Sequence, residues 1–241
     1  MEYYNLGNSI KAFTTDRTIG RDREKIMSLL LPLSPDRFFY PHQTHTDNVM
    51  KVDADFFLLP ETERKERGEG VDAVISNVTG ACLGISTADC IPVLVYDPQH
   101  HAAAAIHAGW RGTVARIVRK AVEAMQREYG TVPQQCRAAI GPGISQESFE
   151  VGWEVHQNFL DNGFVMDEVT VVMPEKNGVG VKPHIDLKEV NRRELMAVGL
   201  SPENIEVSGI DTFTDERFFS ARREQKGTQK CGRILSGFVL N

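Results

Sequence analysis

The fold of this chain is decided by residues 90–107, which read CIPVLVYDPQHHAAAAIH. Two apolar runs, 91–96 and 102–106, flank a short segment at 97–100 that contains proline. Apolar runs of this length, bounded by turn residues, are typical of neighbouring buried strands. We therefore predict an antiparallel hairpin, with Cys90 directly before its first strand and His107 at the end of its second.

This hairpin would bring a thiolate and an imidazole to one rim of the sheet. A third ligand type, His45, ends the segment PHQTH at residues 41–45. Two imidazoles and one thiolate would give a tetrahedral zinc ion three protein ligands, and its fourth position would stay open for water or substrate, as in catalytic sites. We therefore select His45, Cys90 and His107 as candidate metal ligands and as candidate catalytic residues.

Directly after His107, the segment HAGWRG at residues 107–112 leads into a predicted helix with Thr113 as its N-cap. Apolar residues from Val114 to Met125 recur at helical spacing, which indicates a core-facing stripe. The guanidinium group of Arg111 and the free N–H groups at the helix start would attract an anion such as phosphate or a carboxylate. Arg111 could equally form a surface ion pair.

Composition narrows the class of protein. The chain has 241 residues, 41% of them hydrophobic and 25% charged, with a formal net charge of -6. These values are typical of a globular protein, and we predict one domain over residues 1–241. The net charge argues against nucleic acid and membrane surfaces as partners. No apolar stretch is long enough to span a membrane and the first residues lack the pattern of a signal peptide, so we expect a cytoplasmic protein with reduced cysteines.

Elsewhere helices and strands alternate without repeats. Strands are predicted at 10–15, 37–40, 48–52, 72–76, 82–87 and 205–208, and helices at 23–31, 148–162 and 186–198. The charged run at 61–70 is predicted to be a solvated loop. A lone Cys is more often a buried core residue than a ligand, and we predict this for Cys82, Cys136 and Cys231. Cys82 in particular has no His or carboxylate nearby in the sequence.

Six segments together resemble the motifs of a known family. They are FTTDR at 13–17, HQTH at 42–45, ADCIPV at 88–93, HAGWRG at 107–112, IGPGI at 140–144 and FFSARR at 218–223. In their order and spacing they resemble the laccase-domain family, also called the polyphenol oxidase or YfiH-like family. The resemblance implies an α+β fold in which two packed mixed β-sheets are flanked by helices, in α/β/β/α layers.

The resemblance also implies an activity. Members of this family are purine nucleoside phosphorylases, which convert adenosine or inosine and phosphate to the base and ribose 1-phosphate, with adenosine deaminase activity from the same pocket. It implies a zinc ion at the positions that here are His45, Cys90 and His107. We expect a nucleoside and phosphate as the ligands, and assign their binding to polar residues in or near these motifs, namely Arg17, Gln43, Asp89, Arg111 and Arg233. The segment that follows Arg17 departs from the family pattern.

Three other functions remain open from the sequence. Because two His and one Cys also form mononuclear blue-copper sites, copper is the alternative metal and a polyphenol oxidase (laccase) the alternative enzyme. A multicopper centre, however, needs many imidazoles, and this chain has seven His residues. Cys90 could instead be the nucleophile of an amidohydrolase that acts on peptidoglycan precursors, with a His as its base. The metal could also be structural, although structural sites normally use four protein ligands.

Overall fold

A computed structural model describes residues 1–30, 33–175, 178–228, 230 and 232–241. Its strands are β1 (Glu2–Tyr4), β2 (Ile10–Thr14), β3 (Phe38–Phe39), β4 (Val49–Lys51), β5 (Ala73–Ser76), β6 (Cys82–Thr87), β7 (Ile91–Asp97), β8 (Ala102–Ala108), β9 (Arg137–Ile140), β10 (Thr170–Pro174), β11 (Val181–Ile185), β12 (Ile205–Val207) and β13 (Ile234–Leu240). Its α-helices are α1 (Arg23–Leu30), α2 (Glu61–Arg67), α3 (Trp110–Val114), α4 (Ile117–Tyr129), α5 (Trp153–Asp161), α6 (Leu187–Ala197) and α7 (Ala221–Gln225).

Two large sheets form the centre of the molecule. One has the strand order β1-β2-β13-β6-β3, and the other has the order β12-β9-β7-β8-β5-β4. Each sheet contains both kinds of pairing, because β3 runs parallel to β6 in the first sheet while β12 and β4 run parallel to their neighbours in the second. A separate two-stranded sheet consists of β10 and β11. The prediction of two mixed sheets is confirmed.

Three apolar clusters define the layers. One cluster lies between the two sheets and contains Leu83 and Phe238 from the first sheet with Leu94 and Ala105 from the second. The second cluster packs the other face of the six-stranded sheet against α4, α5 and α6. The third packs the outer face of the five-stranded sheet against α1. The layers are therefore α/β/β/α, as predicted, and the fold class is confirmed.

The hairpin at residues 90–107 is present and central. Strands β7 and β8 pair antiparallel, with Ile91 opposite Ala108 and Pro92 opposite His107. Every residue of both strands is buried, which explains why their sequences are apolar on both faces instead of alternating. The run Ala102–Ala105 leaves little side-chain volume on either face, so that α4 can pack closely on one side and the other sheet on the opposite side. Strand β8 ends at Ala108, one residue beyond the prediction.

The prediction of a loop at 61–70 is wrong, because residues 61–67 form helix α2. Its charges are spaced for a helix: Glu61 pairs with Lys65 and Glu63 with Arg67, both at i,i+4. Such pairs stabilise a helix by a few tenths of a kcal/mol each. We predicted a solvated loop from the charge of this run and did not take account of its spacing.

Two further predictions are corrected. The expected single helix after His107 is two helices, α3 and α4, separated at Arg116 by a left-handed backbone conformation with φ of 64°. Thr113 therefore lies inside α3, and Gly109 occupies the N-cap position. The helix predicted at 148–162 begins only at Trp153, because Val151 donates a backbone hydrogen bond to the carbonyl of Pro183 in β11.

The remaining predictions hold with small shifts. The strands predicted at 10–15, 48–52, 72–76, 82–87 and 205–208 are confirmed within two residues, and α6 occupies most of 186–198. Helix α1 is confirmed to Leu30, whereas residue 31 lies outside the described residues. Cys82 and Cys136 are fully buried, while Cys231 lies outside the described residues. Among the helices described here, none combines the length and the apolar character needed to cross a bilayer.

Candidate functional site

The structure brings His45, Cys90 and His107 together at one end of the β7–β8 hairpin. Their ligand atoms all lie within 4.8 Å of one another, and Cys90 Sγ is 3.9 Å from His45 Nε2. The centroids of the two imidazole rings are 5.0 Å apart. Over the ranges that the structure describes, this is the one group of at least three His, Cys, Asp or Glu side chains close enough to share a metal ion.

Each member of this triad is positioned by a different element. Cys90 directly precedes β7, and His107 is the next-to-last residue of β8. His45 lies between β3 and β4 in a left-handed conformation with φ of 63°, which few non-glycine residues adopt. Such strained positions persist only where the surrounding structure fixes them. The backbone conformation of His45 is fixed by the buried carboxylate of Asp72.

Asp72 directly precedes β5, and its side chain is fully buried. Its Oδ2 accepts hydrogen bonds from the backbone N–H groups of Thr44 and Thr46 and from Thr46 Oγ1, and its Oδ1 accepts one from the N–H of His45. Oδ1 also lies 2.6 Å from His107 Nδ1. One carboxylate therefore fixes both the turn that carries His45 and the ring of His107.

The contact with Asp72 also orients His107 for metal binding. A carboxylate that accepts from Nδ1 leaves Nε2 unprotonated and facing the other two ligands, which is the common arrangement around zinc-bound His. We did not select Asp72 from the sequence. Asp72 lies 35 positions from His107 in the sequence. The one feature of the sequence that could have indicated its role is that a charged residue stands directly before an apolar strand.

The donor set and the space between the donors fit a single metal ion. The separation of 3.9 Å between Cys90 Sγ and His45 Nε2 is shorter than about 4.4 Å, the sum of typical zinc–sulfur and zinc–nitrogen bond lengths. Gly109 leaves this space open, since a Cβ atom there would lie 3.1 Å from Cys90 Sγ and 3.1 Å from His45 Cδ2. His45 is exposed and Cys90 partly exposed, so an ion and its fourth ligand could enter from solvent.

In the metal-free protein the triad forms a charged pair. Burial raises the pKa of the Cys90 thiol, but the charge and hydrogen bonds of His107 and His45 outweigh burial and bring that pKa down to about 6. Burial lowers the pKa of His107, but the Cys90 thiolate and Asp72 raise it to about 9. Between these values the pair consists of a thiolate and an imidazolium. At neutral pH the Cys90 thiolate is ready to bind a metal, which would displace the Nε2 proton of the His107 imidazolium.

We expect alkylation of Cys90 in the metal-free protein to increase with pH around an inflection near 6, compared with about 8.5 for an ordinary thiol. The pH at which the alkylation rate rises tests this pKa, whereas the rate at a single pH does not. At pH 7 the thiolate fraction is about thirtyfold higher than for a free thiol, but the lower basicity reduces nucleophilicity by about tenfold. Peptide mapping by mass spectrometry measures the modification at Cys90 alone. An inflection near 8.5 would contradict the pairing with His107.

The triad opens into a cavity of about 1140 Å³. This volume is slightly above the range of about 300–1,000 Å³ found for small-molecule sites. Gln43 and Arg233, two of the predicted substrate-binding residues, line it. The side chain of Gln43 is held by Ser86, since its Oε1 accepts from the Ser86 backbone N–H and its Nε2 donates to the Ser86 carbonyl. Aromatic side chains of Phe38, Phe39 and Tyr40 form part of the wall.

The other three predicted substrate-binding residues do not line this cavity. Asp89 is buried, and its carboxylate accepts hydrogen bonds from Thr212 Oγ1, Ser220 Oγ and the backbone N–H of Arg222. This network ties the residue before Cys90 to the C-terminal segments. Exposed Arg17 stacks over Phe219, and exposed Arg111 stacks over Trp110. Their roles in substrate binding stay predictions.

Several basic residues of the cavity wall were not selected from the sequence. They are Arg21, Arg23, Arg64, Lys65 and His42. Arg64 belongs to the segment that was predicted to be a loop. On helix α2, its side chain is nine-tenths buried instead of solvated. The sequence contained an indication of this difference. Lys65 and Arg67 each follow a glutamate by four residues, whereas Arg64 has no acidic residue four positions before or after it.

Comparisons with known proteins extend over nearly the whole chain. A family model described as multi-copper polyphenol oxidoreductase laccase matches residues 2–241. A purine nucleoside phosphorylase from Bacteroides thetaiotaomicron is 46% identical over 208 residues, which are 86% of this chain and 74% of that protein. A protein named adenosine deaminase RL5, from an unknown prokaryotic organism, is 38% identical over 203 residues, 84% of this chain and 76% of its own length.

Solved structures show the same fold. A hypothetical protein YfiH from Bacillus licheniformis superposes with a TM-score of 0.81 at 26% identity, over 96% of this chain and 93% of that one. YlmD from Geobacillus stearothermophilus gives a TM-score of 0.83 at 24% identity, over 99% of this chain and 94% of that one. The sequence motifs, the layered fold and the full-length match agree, and the chain belongs to the laccase-domain family, whose model is described as multi-copper polyphenol oxidoreductase laccase.

Proposed function

We propose that the chain is a zinc-dependent purine nucleoside phosphorylase that acts on adenosine or inosine and has adenosine deaminase as a side activity. The observation that carries the proposal is the opening of a three-ligand metal site into a cavity large enough for a nucleoside and phosphate. Three protein ligands leave one position for substrate or water, as in catalytic zinc sites. The names of two relatives, purine nucleoside phosphorylase and adenosine deaminase, support the same two reactions.

The residues of the chain would contribute positioning and charge. In phosphorolysis a phosphate oxygen forms a bond to the anomeric carbon while the bond from that carbon to the purine nitrogen breaks, through an oxocarbenium-like state. Zinc held by His45, Cys90 and His107 would act as a Lewis acid. Asp72 would keep the proton of His107 on Nδ1, so that the ring presents Nε2 to the site. The aromatic wall would exclude water and offer surfaces for a flat base.

The test is the incubation of purified protein with adenosine, with and without phosphate. We expect adenine to form only when phosphate is present, because phosphate is the second substrate. A slower formation of inosine should not depend on phosphate, because water is the second substrate of deamination. Chromatography resolves adenine, inosine and hypoxanthine. If no adenine forms in the presence of phosphate, the protein is not an adenosine phosphorylase.

A copper-dependent oxidase is the second candidate, because the family description names multicopper oxidoreductases and two His with one Cys also form copper sites. Multicopper chemistry needs several clusters of ligands close together. The described part of the chain brings one such cluster together. A single cluster of possible metal ligands supports phosphorolysis over polyphenol oxidation. An amidohydrolase with Cys90 as its nucleophile is tested by the metal dependence of Cys90 considered in the Discussion.

A further inference from the structure

Three arginines on the cavity wall lack an acidic partner. The side chains of Arg21, Arg23 and Arg64 all line the cavity, and no carboxylate within the described residues lies within 4.0 Å of their guanidinium nitrogens. Arg21 and Arg23 instead stack over the aromatic rings of Tyr40 and Phe38. This corner of the cavity therefore holds three guanidinium groups that have no ion-pair contact with a carboxylate among the described residues.

Arg64 is the most informative of the three. It is only 9% exposed, its Nη1 donates to the carbonyl of Asp36 at 2.6 Å, and its Nε is buried without a hydrogen-bond partner. The Nε of Arg23 is also buried and unpartnered. A guanidinium group cannot lose its proton at accessible pH, and a buried charge without a counter-charge is strongly unfavourable. An anionic ligand in the cavity would supply the direct ion pair that Arg64 lacks among the described residues.

The neighbours of Arg64 on helix α2 provide the contrast. Lys65 and Arg67 each pair with a glutamate four residues earlier, at 2.8 Å and 2.7 Å. The residue four positions before Arg64 is Pro60, which has no side-chain acceptor. Glu61 also lines the cavity, and the positive charges of Arg23 and Arg64 act on its carboxylate, but the ion pair of Glu61 is with Lys65. The helix therefore provides i,i+4 ion pairs for its exposed cations Lys65 and Arg67 and none for the buried Arg64.

The geometry points to a phosphate-binding subsite formed by Arg64 with Arg23 and Arg21, in the cavity that also contains the metal triad. Planar guanidinium groups bind the oxygens of phosphate through paired, charge-assisted hydrogen bonds. The phosphate could come from two sources, inorganic phosphate or the phosphate group of a nucleotide such as AMP. The inference rests on the proposed function, because both sources are ligands that a purine nucleoside enzyme would bind in this cavity.

The first measurement is calorimetric titration of inorganic phosphate into the purified full-length protein in phosphate-free buffer. We expect Arg64→Met to raise the Kd for phosphate by at least about tenfold, through the loss of charge-assisted hydrogen bonds. Arg64→Lys should restore only part of the affinity, because an ammonium group lacks the planar fork. The matched control is Arg67→Met on the same helix, whose side chain pairs with Glu63 outside the cavity. It should bind phosphate like the wild type.

The second measurement separates the two sources. If the ligand is the phosphate of a nucleotide, the wild type should bind AMP at least about tenfold more tightly than adenosine, and Arg64→Met should remove this preference. If the ligand is inorganic phosphate, AMP and adenosine should bind alike, while the Kd for phosphate still depends on Arg64. Adenosine itself should bind equally to both proteins, because it carries no phosphate group.

Equal phosphate affinity and unchanged AMP preference in Arg64→Met and Arg67→Met would overturn the inference. If Arg64→Met does not fold, as judged by circular dichroism, the same criteria apply to Arg23→Met. Its matched control is Lys25→Met on helix α1, whose ammonium group lies 3.5 Å from Asp22. These titrations require no turnover. A wild type without phosphorylase activity would therefore contradict the proposed function and leave the test of the subsite intact.

Discussion

Replacement of Cys90 by alanine is expected to release the metal and abolish both nucleoside activities together. The wild type should contain about one zinc ion per chain, because three ligands form one open site. Without the thiolate, two imidazoles remain, and the metal content should fall below about 0.1 per chain after dialysis against a weak chelator. Phosphorolysis and deamination should both fall by at least about a hundredfold, since one site serves both reactions. Elemental analysis and the chromatographic assay provide the two readouts.

The matched control is Cys136→Ala. Cys136 is fully buried and lies outside the triad, so this variant should keep its metal and both activities unless it fails to fold.

An alkylating reagent distinguishes a metal-ligand role of Cys90 from a nucleophile role. A thiolate that is a metal ligand should react slowly in the holo protein and faster after chelation, whereas a free nucleophile should react readily from the start. Fast alkylation with zinc retained would refute the assignment of Cys90 as a ligand. Stoichiometric copper with an intense visible band, together with oxidation of a polyphenol by that protein, would instead favour the oxidase.

The second large effect is expected for Asp72→Asn. The amide has the size of the carboxylate, but one of its two ends is an NH2 group, which cannot accept a hydrogen bond. In the variant this NH2 group would face either His107 Nδ1 or the backbone N–H groups of Thr44 and Thr46, which in the wild type donate to a carboxylate oxygen. We expect zinc affinity to fall by about 10–100-fold, as for other carboxylates that orient a His ligand. Loss of charge-assisted bonds to a fully buried group should also destabilise the metal-free protein by on the order of 2–4 kcal/mol.

Competition with a chromophoric chelator measures the zinc affinity, and urea unfolding of the metal-free protein measures the stability. The control is Asp47→Asn, which removes an acidic partner of Lys120 on the surface and no contact of the triad. It should change the free energy of unfolding by at most about 1 kcal/mol. If Asp72→Asn binds zinc with wild-type affinity, the carboxylate does not orient His107.

Much of the fold could be predicted because burial on both faces leaves a simple pattern. Strands β7 and β8 are sandwiched between layers, so their sequences are continuous apolar runs, and the turn between them fixes an antiparallel hairpin. Two members of the triad follow from that hairpin alone. His45 lies on a distant segment that the hairpin does not place. It was selected by its residue type, and the resemblance of its motif to those of a known family supported that selection.

Other parts depended on contacts that no local pattern encodes. Helix α2 was missed because a run of charges was interpreted by composition, while its i,i+4 spacing was not considered. Asp72 was missed because its importance lies in five hydrogen bonds to residues distant in sequence. Arg111 follows the metal ligand closely in the chain, yet its side chain stacks over Trp110 and does not line the cavity. Sequence proximity indicates the neighbourhood of a side chain but leaves its direction undetermined.

The hydrogen bonds of Asp72 have a consequence for the choice of metal. They fix the His45 turn and the His107 ring through contacts within the protein, so the positions of the ligands do not depend on an ion, unlike in zinc fingers, which unfold without it. A binding site that is already formed can exchange its ion while the protein stays folded. Because copper generally binds such ligands more tightly than zinc, the ion that occupies the site is then determined by the supply of metal in the cell or in the purification buffer. The same folded chain could thus be isolated as a zinc protein from one preparation and as a copper protein from another.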